Sequence, residues 1–191
     1  MRNNLSQMIS LSKIEEKLYR PADAYELSRV TRMEHVKTTI VETPQEGIKA
    51  VATRIAQLIN RREANGQKTV LSLASGRSMR DLFVELVRLH KEDGLSFKNV
   101  VVFGSYEFYP LSDTTSGSMA QIQSQLLEHV DILPENVHTF PGDLPKEDVF
   151  AFCEEYEKAI VEAGGIDVQV LGIGQCGNIA MNEPGTQPTS S

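Results

Sequence analysis

The spacing of apolar and polar residues divides the chain into alternating short and long segments. Short runs rich in β-branched and other apolar residues are typical of strands, and they lie at 69–74, 99–103, 136–140 and 166–171. Longer stretches in which apolar residues recur every three or four positions are typical of helices. They lie before and between the short runs, at 43–64, 79–87, 119–127 and 149–160.

Strands that alternate with helices predict βαβ units, and such units build a parallel sheet. Most of the predicted strands are nearly continuous apolar runs, as expected when helices cover both faces of the sheet. We therefore predict a three-layer α/β/α fold, Rossmann-like, with a mainly parallel sheet, over residues 41–191. Its first helix has a clear start signal, because Thr43 can cap it, Pro44 suits the first helical position and Glu46 completes a capping box.

Residues 1–40 differ from the rest of the chain, because they are mildly basic and their apolar residues are scattered. Pro21, followed by residues 22–30, predicts one short helix there. We interpret this segment as an arm that packs on the domain or on a neighbouring subunit. A partly disordered tail is the alternative.

The composition narrows the class of partner. With 40% hydrophobic and 24% charged residues among 191, the chain has the composition of an ordinary globular protein. Its net charge of −7, from 19 Lys and Arg against 26 Asp and Glu, argues against a nucleic acid or an anionic membrane as partner, because both attract basic surfaces. The apolar runs in the sequence are too short to span a bilayer or to serve as a signal peptide.

Cysteine and histidine usage bears on location and cofactors. Cys153 and Cys176 lie in different predicted elements, so a reduced, cytoplasmic protein is the simplest interpretation. The four histidines are not spaced as metal ligands, and none lies near a cysteine in the sequence. The sequence therefore predicts no metal site and no cofactor.

Ligands of open parallel sheets bind beyond the carboxyl ends of the strands. Three loops follow predicted strands and should meet at that edge, at 75–78, 104–107 and 172–185. The first loop, Ser75-Gly76-Arg77-Ser78, is rich in hydroxyls and leads into a helix, so its N–H groups and charge suit a phosphate or sugar phosphate. The alternative is that Ser78 simply caps the helix, and both can hold.

The third loop contains a G-x-G-x-x-G pattern at 172–177. A nucleotide-binding module is the least favoured hypothesis, because the pattern follows the last predicted strand. The acidic residue expected about 20 positions later would also fall beyond the chain end. Glycines that permit a tight turn and a close backbone approach explain the pattern equally well. Gly174 is included among the predicted substrate-binding residues.

Acid–base candidates in these loops are few. Glu107 and Glu183 are the carboxylates that the three loops contain, and we predict that both take part in catalysis. For Glu107 a hydrogen-bonded structural carboxylate is the alternative. Tyr106 and Cys176 are weaker candidates, because phenols and thiols ordinarily keep their protons at neutral pH, and a small buried thiol is the alternative for Cys176.

Three segments resemble the glucosamine-6-phosphate deaminase/isomerase family. They are FKNVVVFGSYEFYPL at 97–111, EHVDILPENV at 128–137 and GGIDVQVLGIGQCGNIAMNEPG at 164–185. The resemblance runs from about residue 40 to the end, and residues 1–40 resemble the leader of a long form found in some bacteria. The Asn-Glu-Pro-Gly ending at 182–185 is specific, since the related 6-phosphogluconolactonases share the fold but lack that ending.

This resemblance implies a reaction and a partner. The family converts glucosamine 6-phosphate to fructose 6-phosphate and ammonia, an isomerisation with hydrolase-type release of the amine. A base moves a proton between C2 and C1, and a histidine-centred group opens the sugar ring. The resemblance places Glu107 and Glu183 at family catalytic carboxylates and residues 75–78 at the phosphate cradle. It implies a sugar phosphate as small-molecule partner and a possible homo-oligomer.

The chain departs from the family pattern at three catalytic positions. Tyr106 replaces the proton-shuttling aspartate, and Cys176 and Asn178 replace the aspartate and histidine of an Asp-Gly-His motif. An asparagine cannot titrate, so it cannot act as an acid or base. In the cradle, Arg77 replaces a glycine. Two hypotheses follow: a sugar-phosphate isomerase/deaminase, or a catalytically degenerate protein that binds or senses a sugar phosphate.

The length of the chain also bears on the resemblance. Related chains continue past the Asn-Glu-Pro-Gly loop with further strands, helices and basic residues that contact the phosphate. Here Ser191 comes six residues after Gly185. The resemblance therefore predicts a fragment of a larger protein or a shortened relative, with the sheet and the phosphate site truncated at the C-terminus.

Overall fold

A computed structural model describes residues 38–183 and 185–186. The predicted arm lies outside these residues except at 38–40, and its short helix at 22–30 lies wholly outside them. Within the described part, the helices are α1 (Pro44–Ala64), α2 (Arg77–Asp93), α3 (Ser118–Gln125) and α4 (Val149–Glu162). The strands are β1 (Thr69–Leu73), β2 (Val100–Gly104), β3 (Val137–His138) and β4 (Val168–Val170). None of these helices has the length and hydropathy needed to cross a membrane.

Helix α1 begins as its sequence predicts. The Thr43 hydroxyl accepts a hydrogen bond from the Glu46 N–H at 3.3 Å, and Pro44 is the first helical residue. The Glu46 carboxylate in turn accepts the N–H of Glu42 at 3.2 Å. The first bond satisfies an N–H group that a helix start otherwise leaves without a partner. The second ties the residue before the cap to the first turn and differs from the predicted capping box, in which Glu46 would accept the N–H of Thr43.

The strands form one parallel sheet in the order β3-β2-β1-β4. Strand β1 pairs along its whole length with β2 and over three residues with β4. This confirms the predicted parallel sheet. Because the strands run the same way, the loops after β1, β2 and β4 emerge at one edge.

Side chains along the two central strands alternate between two apolar layers, as the pleat of a strand requires. Leu71 and Leu73 pack in a core with α1, α2 and α3. Val70, Val101 and Phe103 pack on the opposite face against α4. Helices thus cover both faces and confirm the three-layer prediction, and each fully buried side chain of this size contributes roughly 1.5–3 kcal/mol.

A buried tyrosine fixes α4 against the sheet. The Tyr156 hydroxyl lies 3.0 Å from the Gly104 carbonyl oxygen and 3.3 Å from that of His138, so its one proton is shared between β2 and β3. The Tyr156 ring stacks on Phe140 with centroids 4.0 Å apart. Burial raises the pKa of Tyr156, so the hydroxyl stays protonated at neutral pH.

Strand β3 is shorter than the predicted run at 136–140, because only Val137 and His138 pair with β2. Phe140 turns into the α4 core instead of continuing the ladder. Pro141 follows it and has no N–H with which to extend the pairing.

Helix α3 also ends earlier than the apolar spacing predicts. Leu126 leaves the helical conformation with φ −131° and ψ −61°, and a short 3₁₀ turn follows over Leu127–His129. Leu126 and Leu127 are nonetheless buried. The apolar spacing past Gln125 therefore reflects burial and not a continued helix.

Candidate functional site

Three loops meet at the carboxyl edge of the sheet and line a cleft of about 360 Å³. The β1 loop contributes residues 74–79 and the β2 loop contributes Tyr106. The β4 loop contributes Gly172, Ile173, Gly174, Asn178, Ala180 and Met181. The cleft therefore brings together the predicted residues 75–78, Tyr106, Gly174 and Asn178, whereas Glu107, Cys176 and Glu183 do not line it.

The β1 loop turns at Gly76, which has φ 123° and ψ 173°, a conformation essentially restricted to glycine. Helix α2 starts at Arg77, and its first hydrogen bonds run from the N–H groups of Met79 and Arg80 to the Gly76 carbonyl, at 3.1 and 3.2 Å. The N–H groups of Arg77 and Ser78 precede these bonds and suit an anion at the positive end of the helix.

The alternative interpretation of Ser78 as the N-cap is wrong. Gly76 occupies that position, and Ser78 is the second residue of α2. The unusual backbone of Gly76 starts the helix two residues earlier than the hydroxyl pattern suggests.

Tyr106 joins the β2 loop to the β1 loop through Ser75. The Tyr106 hydroxyl lies 3.0 Å from the Ser75 carbonyl oxygen and 3.1 Å from the Ser75 Oγ. Both side chains are half-buried, and the Tyr106 ring meets Phe108 edge-on at 6.2 Å between centroids. The phenol therefore forms part of the cleft wall.

Glu107, the next residue, points elsewhere and caps α3. Its Oε1 accepts the N–H groups of Phe108 at 2.9 Å and Ser118 at 2.7 Å, and its Oε2 accepts that of Met119 at 3.0 Å. A Cβ at Gly117 would lie only 2.7 Å from Oε2, so glycine is needed beside the carboxylate. These contacts are the ones expected of a hydrogen-bonded structural carboxylate. A catalytic role for Glu107 stays a prediction.

The β4 loop is a compact turn built on Gly174 and Asn178. The Gly174 N–H donates to the Asn178 carbonyl at 2.8 Å, and a Cβ at Gly174 would overlap the Asn178 side-chain amide. Ile179 forms antiparallel bridges with Ile173 and Asn182. Glycine at 174 thus allows the half-buried Asn178 amide to lie against the backbone at the cleft.

Two cleft residues hold strained backbone conformations. Ala180 has φ 48° and Met181 has φ 67°, in the left-handed region that costs about 1–2 kcal/mol for a residue with a side chain. Strain of this kind is concentrated at binding and catalytic sites.

Cys176 and Glu183 lie in the same loop as Asn178 but outside the cleft wall. Both are exposed, and Cys176 is a free thiol, as is Cys153. The exposed position excludes the alternative of a small buried thiol for Cys176. The Glu183 backbone carbonyl accepts the N–H of Thr186 at 3.0 Å.

The cleft is suited to an anion with hydroxyl groups. Among the described residues, Arg77 is the one charged side chain that lines it, and the polar groups beside it are those of Ser75, Ser78, Tyr106 and Asn178. No group of three or more His, Cys, Asp and Glu side chains in the described part of the chain could hold a metal ion.

Sequence reasoning missed the apolar part of the wall, formed by Met79, Ile173, Ala180 and Met181. Ile173 is 77% exposed and Met181 is 51% exposed. Large apolar residues inside a glycine-rich loop were the available signal, since such a loop would ordinarily be polar. A groove of about 850 Å³ also lies between α1 and β4, but none of the residues at 75–78, 104–107 and 172–185 lines it.

Residues 42–182 match the family described as glucosamine-6-phosphate isomerases/6-phosphogluconolactonase. Over its whole length the chain is 43% identical to a glucosamine-6-phosphate deaminase-like protein of Bacteroides thetaiotaomicron, and it covers 29% of that protein. It is 42% identical over 122 residues to a glucosamine-6-phosphate deaminase of Porphyromonas gingivalis, a match that covers 63% of this chain and 46% of that protein. The chain thus spans less than half the length of these two relatives.

Solved structures share the fold. A monomeric glucosamine-6-phosphate deaminase matches with a TM-score of 0.71 and 30% identity, over 80% of this chain and 61% of that one. The 6-phosphogluconolactonase of Thermotoga maritima matches with a TM-score of 0.61 and 24% identity, over 75% of this chain and 62% of that one. The second likeness concerns the fold alone.

Proposed function

Because this chain belongs to the family of glucosamine-6-phosphate isomerases and 6-phosphogluconolactonases, we propose that it binds a sugar phosphate in the cleft at the carboxyl edge of its sheet. We further propose that its reaction is aldose–ketose isomerisation with release of ammonia. The substrate is glucosamine 6-phosphate, and the site of action is the cytoplasm.

The observation that carries this proposal is the composition of the cleft wall. The helix start at Arg77 and Ser78, two serine hydroxyls and one guanidinium gather on one side of the cleft. N–H groups at a helix start favour a phosphate, and so does a positively charged side chain in the cleft wall. The substrate phosphate therefore binds at 75–78, and the sugar extends toward Tyr106 and Asn178.

Few side chains near the cleft can act as an acid or a base in the proposed reaction. Glu183 supplies a carboxylate in the β4 loop, and the Tyr106 hydroxyl and the Asn178 amide orient the sugar hydroxyls. Glu107 keeps the β2 loop in shape through its bonds at the start of α3. For Glu183 to move the proton between C2 and C1, the bound sugar must extend past the cleft wall to the end of the β4 loop.

Binding of a sugar phosphate without turnover is the second candidate. One observation favours it: among the described residues no carboxylate lines the cleft. The names of the two relatives in the sequence comparison favour the enzyme, because one is named a deaminase and the other deaminase-like.

The test is turnover of glucosamine 6-phosphate by the native full-length protein, followed as release of ammonia and of fructose 6-phosphate. We expect turnover in the wild type and a loss of about 100-fold or more in Glu183→Gln, since removing a positioned acid–base group has an effect of that size. Glu128→Gln is the matched control, because Glu128 is exposed and lies outside the three loops. A wild type that releases neither product above the background without protein would contradict the enzyme and leave the binding protein. Equal, measurable turnover in the wild type and Glu183→Gln would contradict only the role of Glu183.

A further inference from the structure

The hydrogen bonds between Tyr106 and Ser75 fix which group donates in each. A phenol has one proton, and a carbonyl can only accept. The Tyr106 hydroxyl therefore donates to the Ser75 carbonyl at 3.0 Å. In the second contact, at 3.1 Å, the Ser75 hydroxyl must donate to the Tyr106 oxygen.

This assignment commits the one proton of the Ser75 hydroxyl. A phosphate dianion offers only acceptor oxygens, so Ser75 cannot donate to it while it donates to Tyr106. In the unliganded cleft Ser75 would instead turn lone pairs toward an arriving anion, which is repulsive. A phosphate that uses this hydroxyl must first displace Tyr106 from it.

The exchange is favourable once a phosphate is present. Hydrogen bonds to charged acceptors are roughly twice as strong as those between neutral groups. The bond from Tyr106 to the Ser75 carbonyl does not need to break, because it uses a different proton. The Tyr106 ring also stays in place, since it packs on the core and against Phe108.

We propose that Tyr106 is a positioning residue that competes with the substrate phosphate for the Ser75 hydroxyl. In the empty cleft Tyr106 holds Ser75 in a non-binding arrangement, and phosphate binding transfers the Ser75 hydrogen bond from the phenol to the phosphate. The phenol oxygen released in this way faces the cleft and accepts a hydrogen bond from a sugar hydroxyl. This inference rests on the proposed function, because it requires a phosphate at 75–78.

The competition predicts that removing the phenol hydroxyl strengthens binding. In Tyr106→Phe, we expect inorganic phosphate and glucosamine 6-phosphate to bind about fivefold more tightly, the ratio that one ordinary hydrogen bond corresponds to. Ser75→Ala should weaken binding. In the double variant the Tyr106→Phe change should bring no gain, because the hydroxyl for which both groups compete is absent.

Isothermal titration calorimetry of the native full-length protein and these variants makes the measurement. Tyr109→Phe is the control. Tyr109 follows Tyr106 in the β2 loop, and its hydroxyl donates to the Leu144 carbonyl at 3.0 Å and not to Ser75. The affinity of Tyr109→Phe for phosphate should therefore equal that of the wild type. A loosened structure would lower affinity, so a gain in Tyr106→Phe is a result that a merely structural role cannot produce.

A wild-type measurement covers the case in which Tyr106→Phe does not fold. The tyrosines of the chain, Tyr106 among them, absorb in the near ultraviolet, and a difference spectrum with and without phosphate isolates a change in that absorption. We expect phosphate to shift that absorption, as the hydrogen bonding of one phenol changes. A wild type that binds phosphate without such a shift would contradict the competition.

The outcomes separate the two proposals. If the wild type binds phosphate and folded Tyr106→Phe binds it no more tightly, the competition is wrong and the proposed function stands. A gain that persists in the Ser75→Ala background would also overturn the competition. If neither the wild type nor any variant binds inorganic phosphate or glucosamine 6-phosphate, the proposed function is wrong, and the inference fails with it.

Discussion

Tyr106 and Glu107 are neighbours in the sequence, yet their side chains serve different parts of the molecule. Tyr106 lines the cleft and contacts Ser75. Glu107 turns away and accepts three backbone N–H groups, two of them at the start of α3. The amino-acid sequence alone does not predict this orientation of Glu107, because its partners Ser118 and Met119 lie 11 and 12 residues away.

Glu107→Gln tests the capping role. A glutamine side chain has one acceptor oxygen instead of two, and its amide NH₂ would face backbone N–H donors. We expect the free energy of unfolding to fall by about 1–2 kcal/mol, measured by chemical denaturation. Glu128→Gln, an exposed change outside the cap, should stay within about 0.5 kcal/mol of the wild type.

The same variant separates the two interpretations of Glu107. If Glu107 only caps α3, Glu107→Gln should bind glucosamine 6-phosphate about as well as the wild type. Unchanged stability together with lost turnover would show instead that the carboxylate is catalytic.

At the scale of elements, Asp131 joins the segment after α3 to the segment before β2. Its carboxylate accepts the Phe97 N–H at 2.6 Å and the Ser96 hydroxyl at 3.1 Å, and it lies 3.7 Å from the His90 Nδ1. Burial raises the pKa of Asp131, but the two hydrogen bonds and His90 outweigh it, so the pKa lies below its usual value.

A lowered carboxyl pKa in the folded state has a definite consequence for stability. The ionised form of Asp131 stabilises the fold above the ordinary aspartate range near pH 4, and this contribution is lost as the pH falls through the folded pKa. We expect Asp131→Asn to lower the free energy of unfolding at pH 7 and to approach the wild type as the pH falls below the ordinary aspartate range and through the folded pKa. Asp143→Asn replaces an exposed carboxylate, so its free energy of unfolding should stay close to that of the wild type both at pH 7 and at the lower pH. A difference between Asp131→Asn and the wild type that is independent of pH would contradict the account.

The elements that the sequence predicted best are those with a local signal. The cap at Thr43, the helix spacing of α1 and α2 and the apolar runs of β1 and β2 are all properties of neighbouring residues. The bounds of β3 and α3 depend on packing instead, since Phe140 and Leu126 are drawn into the core by partners distant in sequence. Such bounds cannot be read from spacing alone.

For the whole molecule, topology explains why part of the site was predictable. A parallel sheet brings its strand-end loops to one edge, and this placed 75–78, Tyr106 and Asn178 together without any knowledge of contacts. The orientation of Glu107, the bond between Tyr106 and Ser75 and the strain at Ala180 and Met181 depend on tertiary packing. They required the structure.

Binding of the phosphate at the turn 75–78 is the central claim, and Gly76 allows its most direct test. Gly76→Ala places a Cβ in open space at φ 123°, so it strains a turn restricted to glycine without a clash against neighbouring protein atoms. Gly94→Ala is the matched control: Gly94 ends the same helix at φ 74°, and its Cβ also meets no neighbour within 4 Å. Gly94→Ala should lower stability by about 1–2 kcal/mol, and Gly76→Ala by about 1–3 kcal/mol.

The measurement is calorimetric titration of glucosamine 6-phosphate into the native full-length protein and these two variants. The account predicts that Gly76→Ala weakens binding about tenfold or more, because the N–H groups of Arg77 and Ser78 no longer face the phosphate together. Gly94→Ala should bind within about twofold of the wild type, since it lies at the far end of α2. Equal affinity in both variants would contradict a phosphate site at this turn.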